Sequence, residues 1–446
     1  MKNIIKNNYK YVITFIFVFI LIWWIGSCRH FGDPINNYGF SHALINGEIP
    51  YLDFNTISTP LYLFYQAIGL LIWDNFNMFL LGQALLVTIS FFILYNLYGK
   101  KVYLYLLVTI STLAINIVGT YNYMCFFMML IIIYLEKKYS NKDYLIGFCI
   151  CLAVLSKHTV GAFLIIPSII FFYKNKEKLL KRFIGFIIPL TIFLLYLLIT
   201  KSLFSFIDLC ILGLFDFASK NGATAGKINT FFLISTIILI LISLYIILKN
   251  KKEISNYYLF FGVLFAIPLF DFTHFMMYFN CFLAIIIPYI KINDKLITNI
   301  SIYSSIIILL IVSINMHKYI TIYTNNHFKY TLSFKLDCIK KKKIHKYFSK
   351  FDNSLIVSYD NMEYSIVNDR KIDYFSIPLY GNFGYNGINK MIKKIEKSKN
   401  KVFIVSKSEY KSKKKDSQFA KEIVKYIMDN YKKIDSKYGH EVYYRE

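Results

Sequence analysis

Residues 174–200 read KNKEKLLKRFIGFIIPLTIFLLYLLIT, and this stretch decides the fold. From Phe183 to Thr200 there is no charged side chain in eighteen residues. A helix of that length rises about 27 Å, close to the thickness of a bilayer's hydrocarbon core. The nine residues before it carry five cations, Lys174, Lys176, Lys178, Lys181 and Arg182. An apolar run standing on a basic foot is the pattern of a membrane span with its cytoplasmic end marked.

The same alternation runs through the first three hundred or so residues. Candidate spans are 11–27, 77–98, 102–118, 121–135, 143–156, 160–173, 183–200, 230–248, 256–270, 275–290 and 297–316. Segment 59–73 is also apolar, but it is short and opens on Thr59-Pro60, so it reads as a half-inserted helix. Counting sides from a cytoplasmic N-terminus puts Lys100-Lys101, Lys137-Lys138, Lys174 through Arg182, Lys249 through Lys252, and Lys291 with Lys295 on the inner face. A full span at 59–73 would invert every later loop and break the positive-inside rule throughout. The N-terminal run Tyr11–Ile25 is long for a signal peptide and reads as a retained first span.

Composition agrees. The chain is 56% hydrophobic over 446 residues, with mean hydropathy +0.47, too apolar for a soluble protein of this length. The net charge of +25 flanks apolar runs and sets topology, which argues against nucleic acid as a partner. The seven cysteines are scattered. Cys125, Cys149, Cys151 and Cys281 sit in apolar segments as packing residues, and nothing pairs Cys28 with Cys338. The prediction is an α-helical polytopic membrane protein of about eleven spans over 1–317, with a long first outer loop at 28–76.

Residues 318–446 then form a small α/β extracytoplasmic domain. Ser354–Tyr359 and Lys401–Ser406 read as strands, Gly387–Lys397 and Gln418–Tyr431 as amphipathic helices, and Tyr380–Gly387 as a turn-rich loop. The four lysines at 340–343 are a solvated patch or a contact for anionic lipid or polymer.

Chemistry concentrates on the outer side. Asp33, Glu48, Asp53, Asp74, Asp208, Asp216 and Asp271 all fall there, with Lys157, His158 and His274. Ionisable groups at a bilayer boundary are costly unless partnered or used. The plain alternatives are an N-cap for Asp33, a turn-capping role for Lys157 and His158, and solvated loop acids for Asp53 and, above all, Glu48. Asp208 and Asp216 lie on an amphipathic stretch, Phe204–Phe217, suited to the headgroup plane. No Walker A motif, dinucleotide fingerprint or zinc-type cluster is present in the sequence.

An acid just after the first span, then Gly47-x-x-Pro50-Tyr51-x-Asp53-Phe54 and Thr59-Pro60-Leu61-Tyr62, resembles the first loop of the multi-spanning GT-C glycosyltransferases. That superfamily includes protein O-mannosyltransferase-like and aminoarabinose-transferase-like enzymes. Leu155-Ser-Lys-His-Thr-Val-Gly161 resembles a Leu-(Ser/Thr)-Lys-x-x-x-Gly turn common there, and Phe270-Asp-Phe-Thr-His-Phe275 a late outer Asp-x-x-His turn. Asp33 is followed by Pro34, not by the second acid that the O-mannosyltransferases carry.

The resemblance implies transfer of a sugar from a polyprenyl-phosphate-linked donor to an acceptor hydroxyl on a glycan, lipid or protein, at the outer face of a bacterial plasma membrane. The transition state has oxocarbenium character, and a carboxylate must take the acceptor's proton. Asp33 is placed as that base. Lys157, His158 and Arg29 are placed at the departing phosphate, and Asp53, Asp271 and His274 as orienting groups. No cofactor is required. A divalent ion, magnesium or manganese, on Asp33 and another outer acid is compatible but not demanded. Two other classes stay open. A surface-glycan polymerase or ligase would differ in product length. A lipid-linked-glycan transporter or flippase would move substrate without covalent change.

Overall fold

A computed structural model describes residues 2–27, 32–107, 109, 121–139, 141–220, 230–264, 279, 281–290, 294–316, 343–351, 353–412 and 419–446. Helices dominate. Before residue 200 they are α1 (Lys2–Ser27), α2 (Gly32–Ile45), α3 (Leu61–Ile72), α4 (Phe76–Tyr98), α5 (Tyr121–Lys138), α6 (Asp143–Ser156), α7 (His158–Phe172) and α8 (Lys176–Ile199). Then come α9 (Thr230–Lys249), α10 (Ile254–Val263) and α11 (Asp294–Met316).

Among the described residues, three helices are long and apolar enough to cross a membrane: Phe76–Leu107, Lys176–Ile199 and Thr230–Lys249. Within the first of these the chain turns back, as separate spans at 77–98 and 102–118 require. Gly99 (φ +66°, ψ −150°) closes α4 and opens a 3₁₀ turn at Gly99–Val102, and the Tyr103 ring lies 5.6 Å from that of Phe91, so residues 102–107 pack beside α4. The helices at 61–72, 143–156 and 158–172 are shorter. α3 covers twelve residues.

Outward faces explain the composition. On α8, Arg182, Gly185, Pro189, Phe193 and Leu197 form the buried stripe, spaced three or four apart as one helix face requires. The opposite face exposes Phe183, Ile188, Ile192, Leu195 and Ile199. A helix apolar all round suits lipid and not water. Two glycines let α6 and α8 cross closely. A Cβ on Gly147 would lie 1.9 Å from the Arg182 carbonyl oxygen, and one on Gly185 would lie 2.0 Å from that of Tyr144. Cys125, Cys149 and Cys281 pack in the main core and Cys151 in a smaller cluster.

The C-terminal part is a four-stranded sheet with helices. Its elements are β1 (Leu355–Val357), α12 (Asp360–Val367), α13 (Gly387–Lys397), β2 (Val402–Ser406), α14 (Lys421–Asn430), β3 (Lys432–Lys437) and β4 (His440–Tyr444). Strand order is β1-β2-β4-β3, with β1 and β2 parallel and the remaining pairs antiparallel. β1 and β2 are short apolar runs, read from their Ile and Val content. The expected strands and helices are found, each trimmed at its ends apart from α13. The β3–β4 hairpin was not expected, because Lys432–Lys437 is polar and fully exposed. Arg445 closes α13 by donating to the carbonyls of Ile395 and Glu396 at 2.9 and 3.0 Å, and to those of Ser398 and Asn400. The Lys340–Lys343 patch lies, except for Lys343, outside the described residues.

This sheet domain is seated on the helices. Met362 and Ile366 of α12, with Ile372, belong to the main apolar core. Gly39 of α2 makes room for them, since a Cβ there would lie 2.4 Å from the Met362 sulfur.

Candidate active site beneath the C-terminal domain

The site is built from three chain segments. α6 ends where the Lys157 N–H donates to the Ala153 carbonyl at 3.1 Å. Lys157 is extended (φ −155°, ψ 101°) and is the single residue between α6 and α7. Its carbonyl accepts from Val160 and Gly161, at 3.1 and 2.7 Å, and so starts α7. The capping alternative for Lys157 therefore holds for its backbone. Its ammonium lies 5.4 Å from the centre of the Tyr121 ring. Gly161 must be glycine, because a Cβ would stand 2.4 Å from the backbone of Ala153 and Val154.

Loop 46–60 is folded over this turn. Gly47 takes φ +82°, which opens the turn out of α2. Tyr51 holds φ +70°, rare for a bulky residue, and is buried. It is fixed by its hydroxyl, which donates to the Ser58 carbonyl at 3.0 Å, and by an edge-on Phe206 ring at 5.2 Å. The Thr59 hydroxyl donates to the Val154 carbonyl at 3.1 Å, tying the loop to the end of α6.

The third segment, 203–220, contains a π-helical stretch, Ile207–Leu212, a rare geometry that re-aims side chains. The Cys210 thiol donates to the Thr56 carbonyl at 3.5 Å. The Cys210 backbone also lies near the His158 ring, yet both ring nitrogens of His158 are shielded and hydrogen-bonded to nothing among the described residues. Asp208 points the other way. It pairs with Lys390 of α13 at 2.6 Å and accepts from the Tyr385 N–H at 3.3 Å. Segment 203–220 is thus a dock for the C-terminal domain. Gly384 (φ +78°) permits this approach, since a Cβ would lie 2.4 Å from the Asp208 carboxylate.

The loop acids differ from one another. Asp53 is exposed and accepts from the Ile49 N–H at 2.7 Å, leaving acceptor capacity free. Glu48 corrects the expectation of a solvated acid: it is 8% exposed, and one carboxyl oxygen is buried with no hydrogen-bond partner among the described residues. Burial, with Asp53 nearby, pushes it up to about 7, against the pull of Lys371 and the Ile372 N–H. The Tyr374 hydroxyl donates to the Leu52 carbonyl, so the C-terminal domain closes over the loop. At the loop's root, His42 Nδ1 pairs with Asp74 at 3.0 Å and Nε2 with the Asn46 amide at 3.0 Å, while the Tyr38 hydroxyl donates to Asp74 at 3.3 Å. This relay was not read from sequence. His42 and Asp74 lie 32 positions apart, with nothing to pair them.

Of the expected site residues, Asp53, Lys157 and His158 are described, and their segments are brought together. Asp33 lies in the first turn of α2, its side chain outside the described set. Arg29, Asp271 and His274 fall outside the described residues. Among the described residues no group of three His, Cys, Asp or Glu is arranged to hold a metal, and a divalent ion on Asp33 turns on a side chain outside them.

A second charged cluster was missed. At the other end of α6, the Arg182 guanidinium holds Glu136 through two bonds (2.7 and 3.1 Å) and Asp143 at 2.8 Å, and donates to Ser168 at 3.0 Å and Tyr258 at 3.1 Å. The ion-paired side chains are 3–4% exposed. In sequence, Arg182 closes a lysine run and looks like one more topological cation.

Comparison with protein-family models, with curated proteins and with solved structures finds no match for this chain.

Proposed function

We propose that the chain is a polytopic membrane glycosyltransferase that moves a sugar from a polyprenyl-phosphate donor to an acceptor hydroxyl on the outer face of the membrane. One observation carries the reading. The first-loop motif and the Lys157 turn, which carry the GT-C resemblance and lie about a hundred positions apart, pack on each other through the Thr59–Val154 bond. This supports a site made of the Lys157 cation, the shielded His158 imidazole and the exposed Asp53 carboxylate beneath a polar domain.

In this reading the acceptor oxygen bonds to the sugar's anomeric carbon as the carbon–oxygen bond to the lipid phosphate breaks. Asp33 takes the acceptor's proton. Lys157, with His158 and Arg29, balances the charge left on the polyprenyl phosphate. Asp53, with Asp271 and His274, orients the sugar or acceptor. The topology belongs to the proposal: about eleven spans, a cytoplasmic N-terminus and an outer C-terminal domain.

Purified protein incubated with a panel of polyprenyl-phosphate sugars should release free polyprenyl phosphate, read by mass spectrometry. Asp33→Asn and Lys157→Gln should each lower release about a hundredfold or more while leaving the fold intact. No release with any donor, or full activity in Asp33→Asn, would remove the reading or the base. Labelling cysteines placed at 33 and 157 tests the orientation, and opposite sides of the bilayer would end it.

A further inference from the structure

The C-terminal domain holds a cavity of about 420 Å³ that the transfer reading does not use. Arg370, Lys371 and Lys394 line it, with Ser354, Tyr374 and Asn400. Its one lining carboxylate, Asp373, is committed to the fold. It accepts from the Phe375 N–H at 2.8 Å, the Ser376 hydroxyl at 3.1 Å and the Asn361 amide at 3.2 Å. Three cations against one carboxylate leave a surplus of two positive charges.

Two of these cations, Arg370 and Lys394, rest on aromatic rings. The Arg370 guanidinium lies 5.2 Å from the centre of the Tyr364 ring and donates to the Ser354 carbonyl at 3.1 Å, which leaves most of its N–H groups free. Lys394, on α13, reaches over the face of Tyr374 and has no carboxylate partner among the described residues. Desolvation beside the Tyr374 ring pulls it down to about 8, while the side chain stays exposed enough to meet a ligand. Lys371 faces Glu48 across the seam, where burial already pushes that carboxyl toward neutrality.

We propose that this cavity binds a doubly charged phosphate group carried by a water-soluble ligand. The charge surplus matches a phosphate dianion better than a single carboxylate, and Arg and Lys together suit phosphate oxygens. No lining residue comes from the apolar helices, so the cavity offers no groove for a lipid tail. The site stands whether or not the chain transfers sugars.

Full-length protein in detergent would be titrated calorimetrically with inorganic pyrophosphate, with glucuronate, and with vesicles containing anionic lipid. Pyrophosphate should bind at one site and glucuronate should not. Lys394→Gln and Lys371→Gln should each weaken pyrophosphate binding roughly tenfold or more, and Lys425→Gln, on the exposed face of α14, should not. Thermal unfolding is read for each variant. Weakened binding in either variant that unfolds at the wild-type temperature supports the site. Absent pyrophosphate binding, unaltered binding in both variants, binding lost only where the variant unfolds early, or vesicle binding that depends on Lys394 when pyrophosphate binding does not, would each overturn it.

Discussion

The two ends of α6 carry buried charge in opposite ways. At Asp143 the ions are saturated: no buried polar atom of Arg182, Glu136, Asp143, Ser168 or Tyr258 lacks a partner. Some 21 Å away at Lys157, the surroundings are left incomplete. Both His158 nitrogens, one Glu48 oxygen and the Asn55 amide nitrogen are buried with nothing to bond among the described residues. An unmet buried polar atom costs about 1–3 kcal/mol, so a fold tolerates several together only where something else profits. The saturated end reads as a clamp joining α5, α6, α7, α8 and α10. The unsaturated end is the one that the proposed transfer reading uses.

Breaking the clamp should have the largest effect. Arg182→Leu strands two carboxylates away from water, a loss of about 3–5 kcal/mol, seen as failed expression or a collapsed melting temperature in detergent. Adding Glu136→Gln and Asp143→Asn to Arg182→Leu should recover most of it. If Arg182→Leu alone melted like wild type, the contrast between the two ends would lose its meaning. Next comes Gly161→Ala, which drives a methyl into the backbone of Ala153 and Val154 and should cost about 1–3 kcal/mol. Because it displaces the Lys157 turn, it should also cut donor turnover more than a matched Gly147→Ala, which disturbs the clamp end instead.

The unsaturated end has a pH signature. Glu48 stands at about 7 in the folded chain against an ordinary 4.5, so folding favours its protonated form. Its stabilising share is complete below about 4.5 and is lost as pH rises through about 7, on the order of 3 kcal/mol. Glu48→Gln should therefore melt like wild type at low pH and above it at pH 8. A constant difference across that range would mean the carboxyl is not crowded.

Sequence carried the architecture further than the site. Uncharged runs and lysine feet marked most helices, because lipid imposes length and charge placement on each segment separately. The boundary at Gly99 was legible, since a glycine with two lysines marks the turn at which Gly99 takes φ +66° and the chain folds back on α4. The short motifs pointed to Lys157 and Asp53, whose segments meet through the Thr59–Val154 bond. Glu48, the His42–Asp74 relay and the Arg182 clamp were not legible. Each depends on a partner from 32 to more than 300 positions away, and burial is a property of the assembled chain. The Tyr380–Gly387 loop was legible as turns, but not as the surface that meets Asp208.

That surface gives the smallest effect. The Asp208–Lys390 pair joins the 203–220 segment to the sheet domain at 2.6 Å, but both side chains meet solvent, at 29% and 46% exposed. A pair in that setting is worth under about 1 kcal/mol and weakens with salt. Lys390→Ala should therefore leave the melting temperature within a degree or two, and raising salt should shrink even that. The seam has other ties, since Met362 and Ile366 are buried against α2 and Tyr374 is bonded to Leu52. Hydrogen exchange across 380–389 is the sharper readout. Faster exchange there, with 360–367 unchanged, would mean that the apolar contact seats the domain and the ion pair only sets its register over the Lys157 turn. Faster exchange in both segments would mean that the exposed pair holds the domain down, and the incomplete end of α6 would then be covered by its weakest contact.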